Sequence, residues 1–170
     1  MSPRIVTVTV SDTRTSADDS SGKALADELA AFTIVRHIIV LDEPEQITAL
    51  VRDIASKDEA DAIVFSGGTG ITPRDRTIEA LEPLFEKKLD GFGEQFRRLS
   101  WDQVGARAML SRATAGTVGT CIVFALPGSE KAARLGAREL IAPILVHISD
   151  LLHGRSEHNR EHKLEHKTKP

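Results

Sequence analysis

The chain has 170 residues, 41% of them hydrophobic and 28% charged, with a net charge of -3. That length suits one domain with a real core and leaves little room for a second. Acids and bases are intermixed, so the broad basic field that a nucleic-acid binder needs to displace counterions is missing, and nucleic acid is not an expected partner.

In chain order, Ile5 to Val10 is the first apolar, β-branched run. It follows Met1-Ser2-Pro3-Arg4 directly and is too short for the apolar region of a signal peptide, whose cleavage site is also missing. This run predicts a buried strand, as do Ile34 to Leu41, Ala62 to Phe65 and Cys121 to Leu126, because polar alternation is scarce in all of them. Helical patterns lie between: Ser21 to Ala31 with Leu25 and Leu29, Pro44 to Ala55 with Ile47, Leu50, Val51 and Ile54, then Thr77 to Leu84. A last helix is expected from about Ser129 to Leu152, with Pro143 as the place for a kink. Alternating strand and helix predict an α/β fold in one domain, residues 1–152: a doubly wound, mainly parallel sheet with helices on both faces.

Cys121 is the lone cysteine and lies in an apolar run, which excludes a disulfide framework and a cysteine metal site. No segment approaches the roughly 20 apolar residues of a membrane span, so neither a membrane nor an oxidising compartment is expected, and the cytoplasm fits. Residues 153–170 are polar and mixed in charge, which predicts a flexible tail. His158, His162 and His166 recur every fourth residue there. They read as part of a solvated segment, since no carboxylate or cysteine completes a buried metal site and the interleaved Glu and Lys form i to i+4 pairs.

In a doubly wound sheet, ligands bind beyond the carboxyl ends of the strands, so the loops there are the place for chemistry. The third run ends in Ser66-Gly67-Gly68-Thr69-Gly70, where glycines let backbone approach an anion and hydroxyls add donors. It is neither a Walker A loop nor a dinucleotide fingerprint. Ile71-Thr72-Pro73-Arg74-Asp75 follows, bringing a cation for phosphate and a carboxylate for magnesium. Asp75 has a second reading as the third residue of a capping box started by Thr72. Asp42 ends the second strand and on spacing alone is best read as an N-cap paired with Glu45. Together with Asp75 it would also make a pair of hard oxygen ligands on one rim. Ser11 and Asp12 open a third loop, in which Ser20 or Ser21 is either an N-cap or part of a phosphate site. Pro127-Gly128-Ser129 opens a fourth, with helix N–H groups behind it.

In their order and spacing these segments resemble the MogA/MoaB family, over nearly the whole chain to about Leu152. The carriers are Val8-Thr9-Val10-Ser11-Asp12, Asp42-Glu43-Pro44-Glu45, Ser66 to Gly70 with Thr72 to Asp75, Gly91 to Glu94 with Arg97, Leu110-Ser111-Arg112-Ala113, and Leu126 to Ser129 with Lys131-Ala132. The resemblance implies molybdenum cofactor biosynthesis, with molybdopterin and MgATP as substrates and adenylylation of the pterin phosphate with release of pyrophosphate. It assigns Asp42 and Asp75 to Mg²⁺ and catalysis. Phosphate and substrate contacts are implied for Ser11, Asp12, Ser66, Gly67, Gly68, Thr69, Gly70, Arg74, Glu94, Ser111, Arg112, Pro127, Gly128 and Ser129. The Gly-Phe-Gly-Glu, Ser-Arg-Ala-x-Ala-Gly and Pro-Gly-Ser-x-Lys-Ala details are more similar to MoaB than to MogA. The resemblance therefore also implies a homo-oligomer, hexameric in preference to trimeric, with other proteins of the pathway as candidate partners. The alternative function is a non-catalytic protein that binds or scaffolds molybdopterin.

Overall fold

Runs of β-branched and aromatic residues that are apolar on both sides belong in a sheet covered on both faces. In the computed structural model, which describes residues 2–155, they form β1 (Arg4–Val10), β3 (Ala62–Ser66) and β6 (Cys121–Leu126), each almost wholly buried. β2 (Thr33–Val40) pairs in parallel with β1. Two further strands, β4 (Lys87–Lys88) and β5 (Thr114–Val118), add antiparallel at the other side. The order is β2-β1-β3-β6-β5-β4, so the expected doubly wound, mainly parallel sheet is present.

The helices are α1 (Ser20–Glu28), α2 (Pro44–Ser56), α3 (Thr77–Leu81), α4 (Asp90–Val104), α5 (Glu130–Gly136) and α6 (Leu145–Leu152). Their apolar stripes divide between the two faces of the sheet. One core joins Ile5, Val64 and Phe124 to Leu25 of α1 and Leu29 at its C-cap, Phe92 and Phe96 of α4, and Leu145 of α6. The other joins Val6, Val8, Ile63 and Phe65 to Ile47, Val51 and Ile54 of α2 and Ile78 and Leu81 of α3. This is a three-layer sandwich, and none of the described helices is long and apolar enough to cross a membrane.

Four local expectations need correction. β2 is an edge strand with Val35 exposed, not a buried one. The single helix expected from Ser129 to Leu152 is two: α5 passes into a π turn at Ala137–Ile141, and the chain turns at Pro143 before α6. A proline lacks the N–H that a continuing helix needs. α4 was hidden by Gly91 and Gly93 and by a polar sequence that buries only Phe92, Gly93, Phe96 and Ser100. β5 was hidden by the small residues of Thr114-Ala115-Gly116, where a Cβ on Gly116 would lie 2.2 Å from the Phe85 ring. His153 to Arg155 still bond back to α6, while His158, His162 and His166 lie outside the described residues.

Phe124 is fully buried, and its ring lies 5.1 Å from that of Phe92 at 51°. Phe124→Ala is expected to cost about 3–5 kcal/mol of unfolding free energy through the cavity it leaves. The shift of the denaturant midpoint at unchanged slope measures it.

Candidate functional site

Strand order reverses between β1 and β3, because the chain leaves β1 for β2 on one side and returns by α2 to β3 on the other. The crevice beyond the carboxyl ends of these strands is the expected ligand position. Gly67 makes it possible. It has φ of +111°, and a Cβ there would lie 2.2 Å from the Val10 carbonyl oxygen. Its N–H donates to the Leu126 carbonyl at 2.9 Å, and a Cβ on Gly128 would come within 3.1 Å of its Cα. The ends of β1, β3 and β6 thus meet at one residue with no side chain. Gly68, at φ of +63°, leaves a slot whose walls are Thr77 Oγ1 and Asp42 Oδ2, 2.1 and 2.3 Å from where its Cβ would be.

Asp42 is not the N-cap that its spacing suggests. The cap of α2 is Glu43, which makes no side-chain capping bond, with Pro44 beginning the helix. The Asp42 carboxylate instead accepts the Arg76 N–H, at 3.2 and 3.3 Å to its two oxygens, and its own N–H donates to Asp12 Oδ1 at 3.2 Å. Burial raises the pKa of Asp42, the Arg76 N–H opposes this, and the Asp75 and Asp12 carboxylates add to the rise. The capping-box bond does form at Asp75, which accepts the Thr72 N–H at 2.9 Å. No helix follows it, however, and α3 begins only after Arg76. The Asp75 carboxylate closes on Gly70, where a Cβ would lie 2.8 Å from Oδ2.

A cleft of 1230 Å³ runs along these loops. It gathers Ser11, Gly67, Gly68, Thr69, Gly70, Asp75, Ser111, Pro127, Gly128 and Ser129 from the sequence-derived set, with Phe96 and Leu110 on its apolar wall. Ser129 caps α5, its Oγ accepting the Ala132 N–H at 3.2 Å. Other members of the set lie elsewhere. Ser66 and Asp42 are buried outside the cleft lining. Arg74, expected to grip phosphate, pairs instead with Asp12 and with Glu43 at 3.1 Å. Glu94 and Arg112 line a second cavity of 840 Å³, and Ser111 borders both. Arg112 braces the glycine loop through the Gly70 carbonyl at 2.8 Å and the Asp75 carbonyl at 3.1 Å, while pairing with Glu79.

Sequence reasoning missed Arg14 and Arg107, which line the cleft, and Thr77. Arg14 stands two residues after Asp12 in a loop already singled out, so its position was a usable signal. Arg107 follows α4 and had none once that helix was not foreseen. The Ser66 and Thr77 hydroxyls are buried without a hydrogen-bond partner. Among the described residues, the one group of three ligand-type side chains with donor atoms within 4.8 Å of one another is Asp58, Asp61 and His153. It sits at the opposite end of β3 and is bridged by Arg4 to both carboxylates.

Since the folded-state pKa of Asp42 is raised, its ionised form opposes folding, and that cost sets in as pH climbs through the folded value. Asp42→Asn, neutral throughout, is therefore expected to raise the melting temperature of metal-free protein at pH 7. The gain should shrink toward pH 4, near the unfolded carboxyl value of ~3.9, where wild-type Asp42 also gains its proton. Thermal melts in EDTA across that range check it; a lower melting temperature for the variant at pH 7 would contradict it.

A family profile described as "Probable molybdopterin binding domain" matches residues 6–147. The chain is 46% identical over 149 residues to molybdenum cofactor biosynthesis protein B of Bacillus anthracis, covering 86% of this chain and 88% of that one. A crystal structure of a molybdenum cofactor biosynthesis protein B superposes with a TM-score of 0.87 at 43% identity, covering 91% and 98%. The tungsten cofactor synthesizing protein MoaB from Pyrococcus furiosus superposes at 0.78 with 39% identity, over 91% and 98%. With the family profile spanning most of the chain and the sequence identity and overall superposition in agreement, this chain belongs to the molybdopterin-binding family of the MoaB and MogA type.

Proposed function

We propose that the chain adenylylates molybdopterin using MgATP, as a step in building a molybdenum or tungsten cofactor. One observation carries this reading: a glycine loop, two hydroxyl-bearing loops and the capped start of α5 border a single cleft, with Asp42 and Asp75 against the loop glycines. The names of the relatives place those proteins in molybdenum or tungsten cofactor synthesis, which supports the pterin as the nucleophile's carrier.

A divalent cation suits the residues present. Burial pushes the Asp42 pKa upward and the neighbouring Asp75 and Asp12 carboxylates add to the rise, while the unpartnered Thr77 hydroxyl faces the same slot at Gly68. These are hard oxygen donors, the set that Mg²⁺ prefers. Bound there with the nucleotide, Mg²⁺ would neutralise charge on the phosphates. In the reaction, a pterin phosphate oxygen bonds to the ATP α-phosphorus, and the bond to the bridging oxygen breaks. Pyrophosphate leaves with that electron pair. The nucleophile is already an anion, so the chain needs to position and neutralise more than to abstract a proton. Gly67 to Gly70 supply close backbone approach, Ser11, Ser111 and Ser129 supply hydroxyls, and Arg112 holds the loop in place.

A second reading, a pterin-holding protein without turnover, is favoured by the burial of Asp42 away from the cleft lining and by the engagement of Arg74 with acids. We further propose a homo-oligomer, hexameric in preference to trimeric, in keeping with the exposed apolar Trp101, Val104, Met109 and Leu110 on and after α4. A cytoplasmic location belongs to the same proposal.

A pyrophosphate-release assay with MgATP and molybdopterin, with a control lacking pterin, separates the readings when pterin binding is measured alongside. Wild type should release pyrophosphate only with pterin, and Asp75→Ala should lower the rate by roughly 10²-fold, on the scale of losing one preorganised charge-stabilising group, while still binding pterin. Tight pterin binding without release would make this a binding protein.

A further inference from the structure

The cations lining the cleft are not equivalent. Arg134 is committed to Asp27, Glu28 and Glu130 at 3.0, 3.1 and 3.1 Å, and Arg138 to Glu139 at 2.8 Å. Arg107 and Lys131 also line the cleft, with no acid paired to them among the described residues, and Arg14 is held at close range by a hydroxyl and more loosely by a buried carboxylate. Its Nη1 donates to the Ser21 hydroxyl at 2.6 Å and stands 3.8 Å from Asp19 Oδ1. Its backbone N–H donates to Ser11 Oγ at 3.1 Å. Among the described residues its Nε and Nη2 have no hydrogen-bond partner, and these two N–H groups form the side-on edge that matches two oxygens of one oxyanion.

The anchor beneath is rigid. Ser21 is fully buried and Asp19 is 2% exposed. The Asp19 carboxylate receives the Gly22 N–H at 2.8 Å, Thr9 Oγ1 at 2.8 Å, the Ser21 hydroxyl at 3.3 Å and His37 Nε2 at 2.7 Å. Of the two readings of Ser20 or Ser21, N-cap or phosphate site, the first does not hold, because Asp19 caps α1. The Ser21 hydroxyl is thereby left to hold Arg14. A buried, four-donor carboxylate serving a serine that fixes an arginine in a cleft goes beyond what helix capping requires.

We propose that Arg14 is a phosphate-gripping residue of the cleft and that Ser21 and Asp19 are its positioning residues. The ligand is a phosphate oxyanion, either of the nucleotide's triphosphate or of the pterin's phosphomonoester. The choice between these two sources rests on the adenylylation reading; the anion grip does not.

Titration calorimetry of the full chain with inorganic pyrophosphate is the test, on wild type, Arg14→Ala, Ser21→Ala and the double variant. Arg14→Ala should weaken binding about tenfold or more, as expected for losing a charge-assisted pair of bonds. Ser21→Ala should weaken it by a smaller factor in the wild-type background and have no further effect in the Arg14→Ala background, because it acts only through Arg14. A purely structural serine would show its full effect in both. Melting temperatures confirm that the variants fold. In the turnover assay, a raised KM for MgATP in Arg14→Ala assigns the grip to the triphosphate, and a raised KM for molybdopterin assigns it to the phosphomonoester. Absence of pyrophosphate binding by wild type, or affinity of Arg14→Ala within twofold of wild type, overturns the proposal. If turnover is absent while calorimetry shows the loss, the adenylylation reading fails and the anion grip stands.

Discussion

The approach of Gly67 to the Val10 carbonyl oxygen, too close to admit a Cβ, is the constraint on which the cleft depends. Neighbouring parallel strands end at a fixed spacing, and a side chain at this point would push the ends of β1 and β3 apart. With hydrogen in its place, the Gly67 N–H reaches the Leu126 carbonyl, and Gly128 settles against it from β6. Three loops from distant parts of the chain then open side by side. A left-handed or otherwise positive φ comes cheaply only to glycine, which is why the turn after β3 has glycine at both 67 and 68.

Around that pin, charge is arranged in opposition. Asp12, Asp42 and Asp75 gather beside the glycine loop, and Arg74 and Arg112 brace it from the outside, the first through Asp12 and Glu43, the second through the Gly70 and Asp75 carbonyls. Burying Asp42 next to other carboxylates opposes folding, yet its bond to the Arg76 N–H ties the end of β2 to the start of α3. A charge held at a cost to stability, in a crevice bordered by anion-friendly loops, is the pattern expected where function and stability compete. Of the cations lining the cleft, Arg134 and Arg138 are paired with acids of their own, and Arg14 differs from both in being held at close range by a buried hydroxyl.

Much of the architecture was legible in the chain. Apolar runs without polar alternation located β1, β3 and β6, and helical periodicity located α1, α2 and α3 to within a few residues. Glycines and hydroxyls marked the rim loops. α4 was not legible, since a helix needs only a narrow buried stripe and two glycines masked it. β5 was not legible either, since its small residues are selected by the Phe85 ring against Gly116 and not by strand propensity.

Sequence alone determined the alternation of strands and helices, the glycine-rich rim and the family resemblance, because these are written in neighbouring residues and in their spacing. Tertiary structure alone decided how the site residues divide. Asp42 meets the N–H of a residue 34 positions away instead of capping its own helix. Arg74 turns to acids while Arg14 faces the cleft, and Glu94 borders a separate cavity. The physical reason is common to Asp42 and the arginines. A carboxylate or guanidinium takes whichever partner the packed sheet brings within about 3 Å, and local spacing carries no record of that distance.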